Sequence, residues 1–156
     1  MRKILVLAFY ILWFIGPQKA LASDVKVDKY REEDKLQGFS QLPKGTCTEI
    51  VNNSNECNFY KDTTVKWGAG FCENTKEEIN NRIKKSSPLL LINGIPVEKL
   101  LITESHEFYQ RDKYQYCYSW LVKLSQWSPG SLVTLETYNH NILLYKSTIK
   151  VLRNGT

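Results

Sequence analysis

The sequence predicts a mainly β protein, an antiparallel sandwich of two sheets with one short helix. Three observations lead to this fold class. The chain holds about seven short stretches rich in β-branched and aromatic residues, and turn-forming residues separate them. Most of these stretches alternate between apolar and polar side chains. One capping sequence marks the start of a single predicted helix. Because each amphipathic strand must bury one face, two stacked sheets are the expected arrangement.

The first 22 residues are typical of an export signal that is removed from the mature protein. Arg2 and Lys3 supply the positive charge, residues 4–16 form an apolar run of 13, and residues 20–22 form a small-residue cleavage site. A membrane anchor is the alternative, but a span needs roughly 20 apolar residues. We therefore expect a secreted or otherwise extracytoplasmic protein that begins at Ser23 and has no membrane span after cleavage.

The charge of the mature chain argues against nucleic acid as a partner. The whole chain has a formal net charge of +5, and removal of Arg2, Lys3 and Lys19 leaves 18 basic and 16 acidic residues, a net charge of +2. Phosphate backbones require clustered lysine and arginine, and the sequence shows no such cluster. The remaining 134 residues suit one folded domain, which we place at residues 45–156.

The segment between the signal and this domain, residues 23–44, is predicted to be a flexible polar leader. Residues 24–44 contain five acidic and five basic side chains with few apolar ones. Such a composition buries too little apolar surface to offset the entropy cost of ordering the chain. The alternative is an edge strand with a charged face.

Cys47, Cys57, Cys72 and Cys117 form an even set in a predicted oxidising compartment, so we expect two disulfides. The polar residues 51–55 favour a turn that brings Cys47 to Cys57, which leaves Cys72 to pair with Cys117. The second bridge would close a loop of about 45 residues and stabilise the fold by about 3–4 kcal/mol. A zinc site is the alternative, but structural zinc usually binds closely spaced cysteine pairs, which these are not.

The predicted helix covers about residues 76–85. Thr75 matches an N-cap, and Glu78 three residues later completes a capping box. Ile79 and Ile83 then fall on one face of the helix. Because this apolar stripe is only two isoleucines wide, we expect the helix to lie on the surface of another element.

The strands are predicted from runs of β-branched and apolar residues and from the turns between them. Asn93-Gly94 is a strong hairpin signal, because a type I′ turn needs positive φ at both central residues. Ser128-Pro129-Gly130 and Asn139-His140-Asn141 mark two further turns. The predicted strands are residues 46–51, 63–67, 88–92, 95–97, 114–124, 132–138 and 141–152.

The strand at 114–124 alternates most clearly, and its more apolar face is an aromatic stripe. That face has two interpretations, a core surface or a binding surface, and we favour the core because the stripe runs on into aliphatic residues. Cys117 lies on the other, more polar face. Its bridge to Cys72 would therefore place the following helix over that outer face. The stripe consists of Tyr114, Tyr116, Tyr118, Trp120, Val122 and Leu124.

Several of these residues together resemble those of a known group of proteins. The order is Trp67-Gly68, the helix start at Thr75, residues 89–97 with the Asn-Gly turn, Trp120, and Ser128-Pro129-Gly130 followed by Val133. In this order the stretch 67–133 resembles uncharacterised exported bacterial proteins with an immunoglobulin-like sandwich. The resemblance implies an immunoglobulin-like fold and an extracytoplasmic setting. It implies no activity, cofactor or catalytic residue.

The sequence offers few candidates for chemistry. Glu104, His106 and Glu107 could supply metal ligands, but we favour a solvated strand or loop, and His140 lies in a predicted turn. The common motifs of hydrolases, metalloproteases and phosphate-binding loops are absent from the sequence. We therefore predict no catalytic residue, no metal site and no cofactor.

Aromatic residues near predicted loops are the remaining candidates for a binding surface. Tyrosine and tryptophan offer large contact areas with a hydrogen-bonding tip, and we select Tyr109 and Trp127. The expected function is that of an exported, non-enzymatic module that contacts a protein or a carbohydrate. The alternative is a secreted protein inhibitor of a hydrolase, which would need an exposed and well-ordered loop.

Overall fold

The structure is a computed structural model that describes residues 24–34, 46–110 and 114–153. Over these residues the chain is mainly β, with two packed sheets and one α-helix, so the predicted fold class is confirmed. Short 3₁₀ turns lie at Glu32–Asp34 and Lys99–Leu101. The other elements are β1 (Lys26–Lys29), β2 (Ser54–Phe59), β3 (Val65–Glu73), α1 (Lys76–Lys84), β4 (Pro88–Ile92), β5 (Ile95–Pro96), β6 (Thr103–Gln110), β7 (Tyr114–Ser125), β8 (Leu132–Asn139) and β9 (Ile142–Val151).

The first sheet is organised around β7, which pairs antiparallel with each of the other three strands. β3 lies along one side of β7, and β1 and β6 lie end to end along the other. The second sheet has the order β2-β9-β8-β4-β5. Its pairs are antiparallel except β2 and β9, which run parallel, so the expected antiparallel arrangement is wrong at this one edge. A parallel pair is possible there because a long stretch of chain, not a hairpin, connects β2 to β9.

The main core lies between the two sheets and consists of the inward-facing side chains of both. Burying one large apolar side chain contributes roughly 1.5–3 kcal/mol, so this layer is the main source of stability. Its largest fully buried residues include Phe59, Trp67, Leu90, Leu124, Trp127, Leu135 and Ile149.

A second, smaller core lies at the far end of β7. Tyr118 and Trp120 pack there with Ile79 of α1, whereas Val122 and Leu124 on the same face of β7 belong to the main core. The part of the stripe from Tyr118 to Leu124 is therefore buried by two different partners, the second sheet and the helix.

The position of α1 differs from the expected one. Because neighbouring residues of a strand face opposite sides, α1 lies on the face that is opposite Cys117 and not over it. The reason is that the apolar stripe of α1 requires an apolar surface, which the aromatic face of β7 provides. The helix itself begins as predicted, since the Thr75 side chain accepts a hydrogen bond from the Glu78 backbone, and the Glu78 carboxylate accepts one from the Thr75 backbone.

The predicted turns and strands are found with two differences. Asn93 and Gly94 have φ of 51° and 76° and connect β4 to β5, as a type I′ turn requires. Residues 46–51 form isolated bridges at Cys47 and Val51 rather than a strand, because an irregular backbone separates these two points. Strand β2 was not among the predicted strands, and β6 was predicted only as a strand or a loop, because both are rich in polar residues.

Both disulfides have the predicted pairing. Cys47 bonds to Cys57 across a turn in which residues 52–53 have positive φ, and Cys72 bonds to Cys117. The second pair occupies directly opposed positions on β3 and β7, with a Cα–Cα distance of 4.0 Å. This bridge fixes the end of β3 immediately before α1.

Residues 24–34 are ordered against the domain, so the predicted leader at 23–44 is wrong for this part. Strand β1 pairs with β7, and Val25 is fully buried in the main core. The Tyr30 carbonyl accepts a hydrogen bond of 2.6 Å from the Thr103 hydroxyl. The alternative, an edge strand with a charged face, describes this segment. The segment is polar in overall composition, so its one apolar face is not apparent from composition alone. Because residues 24–34 pack against the sheets, the folded domain begins by residue 24 and not at residue 45.

Other predictions for the N-terminal region fall outside the described residues. These are the signal peptide at 1–22 and the rest of the leader at 35–44. Within the parts of the chain that are described, no helix is long and apolar enough to cross a membrane.

The buried N-terminal segment yields a first prediction. Val25→Ala should lower the free energy of unfolding by about 2 kcal/mol, because it removes fully buried apolar surface from the core. Urea denaturation of the mature protein measures this loss. Lys26→Ala is the control, since Lys26 is half exposed in a surface ion pair with Asp28 and its removal should change stability by less than about 1 kcal/mol. Equal stability of Val25→Ala and wild type would show that this segment does not contribute to the core.

Candidate functional site

A groove opens where the first sheet extends beyond the second. Helix α1 and the chain after it form one side, β4 and the β5–β6 connection form another, and β6 and β7 form the floor. Its volume is about 530 Å³, within the range of roughly 300–1,000 Å³ that is usual for small-molecule sites. The lining residues used below are Ile83, Ser87, Leu90, Lys99, Ile102, Glu104, Tyr118 and Trp120.

Three side chains meet on the floor of this groove. The Tyr118 hydroxyl has the Glu104 carboxylate and the Trp120 indole as hydrogen-bonding neighbours. Glu104 and Trp120 are opposed residues on β6 and β7, so the strand pairing brings all three side chains to one face. This face therefore carries a carboxylate beside two aromatic side chains.

The environment of Tyr118 keeps its hydroxyl protonated. Burial raises the pKa of Tyr118 well above the usual range of tyrosine, and the hydrogen bond to Glu104 and its negative charge raise the pKa further. The hydrogen bond from Trp120 acts in the opposite direction and is the smallest of these effects. Tyr118 therefore remains a hydrogen-bond donor throughout the neutral pH range.

Aromatic packing makes this floor rigid. The Tyr118 ring lies 4.9 Å from the Trp120 ring and 4.6 Å from the His106 ring, measured between ring centroids, both in edge-to-face geometry. Phe71 of β3 packs against Trp120 at 5.5 Å. Edge-to-face pairs contribute about 0.5–1.5 kcal/mol each beyond the area that they bury.

Gly68 allows β3 and β7 to approach closely beneath the groove. A Cβ atom at Gly68 would lie 1.8 Å from the carbonyl oxygen of Trp120. Since any side chain there would displace the backbone of β7, glycine is needed to hold Trp120 in its present position.

The side formed by α1 is held at the last turn of the helix and in the chain after it. In the last turn, Arg82 lies over the Phe71 ring and forms an ion pair with Glu73 of β3. After the end, the Ser87 backbone donates a 2.8 Å hydrogen bond to Asn139 of β8. His140 hydrogen-bonds through its ring to the carbonyl oxygen of Lys85, so this predicted turn histidine supports the chain that borders the groove.

The groove has the chemistry of a binding site. Most of the surrounding side chains are apolar, and Glu104, Lys99 and the Ser87 hydroxyl supply a small number of polar groups. Sites for small ligands and for single side chains commonly combine an apolar lining with a few placed polar groups. Within the described ranges, no group of three or more histidine, cysteine, aspartate or glutamate side chains is arranged to hold a metal ion.

Of the two predicted binding residues, Trp127 lies away from this groove, and the side chain of Tyr109 is outside the described residues. Trp127 is 2% exposed, packs edge-on against Phe59 at 5.0 Å and donates a 2.7 Å hydrogen bond to the Thr63 carbonyl. It is a core residue, so the prediction that it forms a binding surface is wrong. The physical reason is that its indole N–H finds a partner inside the protein. The backbone of Tyr109 pairs with Gln115, but its side chain lies outside the described residues.

The sequence analysis selected some of the residues that line the groove, but it assigned them other roles. Tyr118 and Trp120 were predicted as core, and Glu104 was considered as a metal ligand. Side chains alternate between the two faces along β6 and β7, and this alternation places the three residues on one face. It could have been used to predict from the sequence that they lie together. Lys99 and Ser87 carry no such signal, because they reach the groove from turns whose positions depend on the whole fold.

Comparison of the chain with protein-family models, with curated proteins and with solved structures finds no match. The assignment of a function therefore depends on the geometry of the chain itself.

The titration of Tyr118 gives a second prediction. Tyr118→Phe should lower the free energy of unfolding at about pH 7 by roughly 1–2 kcal/mol, because the hydrogen bond to Glu104 is lost. The folded state favours protonated Tyr118, so this contribution is complete below about pH 10 and is lost as the pH rises above it. The stability difference between wild type and variant should therefore shrink between about pH 10 and pH 11.

Urea denaturation at about pH 7, 10 and 11 measures this difference. Tyr60→Phe is the matched control, because it removes the same hydroxyl from an exposed tyrosine. A difference for Tyr118→Phe that stays constant over this pH range would contradict the assigned environment.

Proposed function

We propose that the protein is an exported, non-enzymatic β-sandwich module that binds a protein or carbohydrate partner in the groove between α1, β4 and β7. The observation that carries the proposal is the groove itself, in which the Glu104 carboxylate lies among apolar side chains beside the packed Tyr118 and Trp120 rings. We also propose an extracytoplasmic location, supported by the two disulfides and the predicted export signal. The immunoglobulin-like relationship belongs to the same proposal and rests on turn and core residues.

The energetics of binding support the use of this groove. A site whose residues are held before the ligand arrives loses little conformational entropy on binding. Here the Tyr118 and Trp120 rings of the floor are packed against each other and against α1. A partner that fills the groove would also cover the apolar side chains of Ile83 and Ile102, which are only half buried. Shape and polarity together therefore favour binding over a purely structural role.

The third prediction tests this proposal by filling the groove. Ser87→Trp places a large side chain at the groove border and should lower partner capture at least tenfold. Mature protein with both disulfides is immobilised and exposed to envelope and medium fractions of the producing organism. Mass spectrometry and sugar analysis then identify what is retained.

Asp62→Trp is the matched control, because it introduces the same side chain at an exposed turn between β2 and β3, away from the lining residues. It should retain the partner at the wild-type level. If Ser87→Trp retains the same partner equally well, or if wild type retains none, the groove is not the functional site.

The second candidate function is inhibition of a hydrolase. An inhibitor needs an ordered loop that enters a cleft, and one loop favours this function. Ile50 and Val51 are 63% and 65% exposed on a turn that the disulfide between Cys47 and Cys57 ties to β2. Two adjacent exposed aliphatic side chains on a tethered turn have the form of an inserting segment.

A fourth prediction separates this function from the first. If the protein is an inhibitor, the double variant Ile50→Asp with Val51→Asp should lose inhibition of its target at least tenfold, because charged side chains would oppose insertion into an apolar cleft. Ser87→Trp should inhibit as wild type does. Residual activities of purified secreted proteases and glycosidases, measured with excess mature protein, provide the readout. Full activity of every enzyme in the presence of wild type would contradict inhibition.

A further inference from the structure

We propose that the disulfide between Cys72 and Cys117 is a site of reversible thiol–disulfide exchange, and that its partner is a protein with a reactive pair of cysteines. The inference concerns the outer face of the first sheet and does not rest on the binding function proposed for the groove. The bridge between Cys47 and Cys57 is the internal comparison, because the same chain holds it in a different environment.

The first support is the position of each bridge relative to the hydrophobic cores. Cys57 is buried in the main core, and Cys47 packs against that core. Cys72 is exposed and Cys117 is half buried, and neither belongs to a core cluster of the described residues. Exposed disulfides are reduced more readily than buried structural ones, because a thiolate must reach one of the sulfur atoms. The accessible bridge is therefore the one between Cys72 and Cys117.

The second support identifies the sulfur atom that a partner can reach. Cys117 lies on β7 between two strands, with Cys72 opposite it on β3 and Glu107 opposite it on β6. In the described part of the chain, β3 pairs with β7 alone, so no strand lies on the other side of Cys72. This open edge of the sheet gives a partner access to Cys72, whereas β6 flanks Cys117. The sulfur atom of Cys72 is therefore the one that is attacked.

The third support is that the two cysteines stay opposed when the bridge opens. They occupy one of nine paired positions along β3 and β7, and their Cα atoms are 4.0 Å apart. Arg82 of α1 forms an ion pair with Glu73 and lies over the Phe71 ring. The residues on both sides of Cys72 are thus held by contacts that do not involve the bridge. The reduced thiols remain close together, so the disulfide can form again.

The exchange has two steps that balance. A cysteine thiolate of the partner attacks the Cys72 sulfur, the S–S bond breaks, and its electron pair stays on the Cys117 sulfur, which takes up a proton from water. The partner's second cysteine thiolate then attacks the partner sulfur of the mixed disulfide. This step releases Cys72 as a thiolate, which is also protonated. The bridge gains two electrons and two protons, which the partner dithiol loses as it becomes a disulfide, and an oxidised partner reverses both steps.

The experiment measures which cysteines are reduced first. Mature protein with both disulfides is incubated without denaturant with thioredoxin, which its reductase and NADPH keep reduced. Free thiols are blocked with N-ethylmaleimide at a series of times, and peptide mass mapping identifies the labelled cysteines. A parallel incubation with reduced glutathione tests a small thiol in place of a protein dithiol.

With thioredoxin, we expect Cys72 and Cys117 to be labelled at least tenfold faster than Cys47 and Cys57. A thioredoxin variant that has serine in place of its second active-site cysteine should be trapped as a mixed disulfide on Cys72. Oxidised protein disulfide isomerase, added after the reductant is removed, should restore the bridge between Cys72 and Cys117.

Two double variants assign the reaction to one bridge. Cys72→Ala with Cys117→Ala should lower the initial rate of NADPH consumption at least tenfold. Cys47→Ala with Cys57→Ala is the matched control and should consume NADPH at the wild-type rate. If this control does not fold, the mapping on wild type decides, because it needs no substitution.

Equal labelling of the two bridges would overturn the inference, because it would show that reduction follows unfolding of the whole domain. Faster labelling of Cys47 and Cys57 would also overturn it, as would trapping of the thioredoxin variant on Cys117. Reaction with glutathione but not with thioredoxin would exclude a protein dithiol as the partner. A bridge that protein disulfide isomerase does not restore would show that the exchange is not reversible.

Discussion

Strand β7 is the element on which the rest of the structure depends, because every strand of the first sheet bonds to it. Its 12 residues present one continuous apolar face that is longer than the second sheet can cover. Val122 and Leu124 are covered by the second sheet, whereas Tyr118 and Trp120 require another partner. Helix α1 supplies that cover, and the disulfide between Cys72 and Cys117 holds the start of the helix to the same strand pair. The groove exists because two separate elements, the second sheet and α1, bury this one face and leave a gap between them.

The width of the helix determines how much of the face stays open. The apolar stripe of α1 is two isoleucines wide, with Ile79 buried and Ile83 only half buried at the groove. A broader stripe would cover the floor completely and would leave no cavity. The helix therefore covers the aromatic rings on the β3 side, and the groove lies on the side toward β4 and β6. Rigidity and access are both consequences of this narrow contact.

Local signals in the sequence predict most of the fold. The capping box at Thr75, the Asn93-Gly94 turn and the alternation in β7 each act over a few residues, and each is found in the structure. Strand β1 could not be recognised from its composition, because Val25 contributes to the core only when β7 provides a partner. The groove was harder still to predict, because its lining comes from three separated segments of the chain, residues 83–90, 97–104 and 118–120. Trp127 failed as a binding residue for a related reason, since its partner Thr63 is 64 positions away in the sequence.

The hydroxyl of Tyr118 links the core to the groove. Phenylalanine would fill the same volume against Trp120 and Ile79 without the cost of burying a polar group, which is about 1–3 kcal/mol when unpaired. At this position the hydroxyl has the Glu104 carboxylate and the Trp120 indole as hydrogen-bonding neighbours, which offset that cost. This arrangement depends on the register of β6 with β7, which places Glu104 opposite Trp120. Packing alone gives no reason for a tyrosine at this position, whereas a carboxylate beside the hydroxyl does. The residue that completes the smaller core thus also lines the groove.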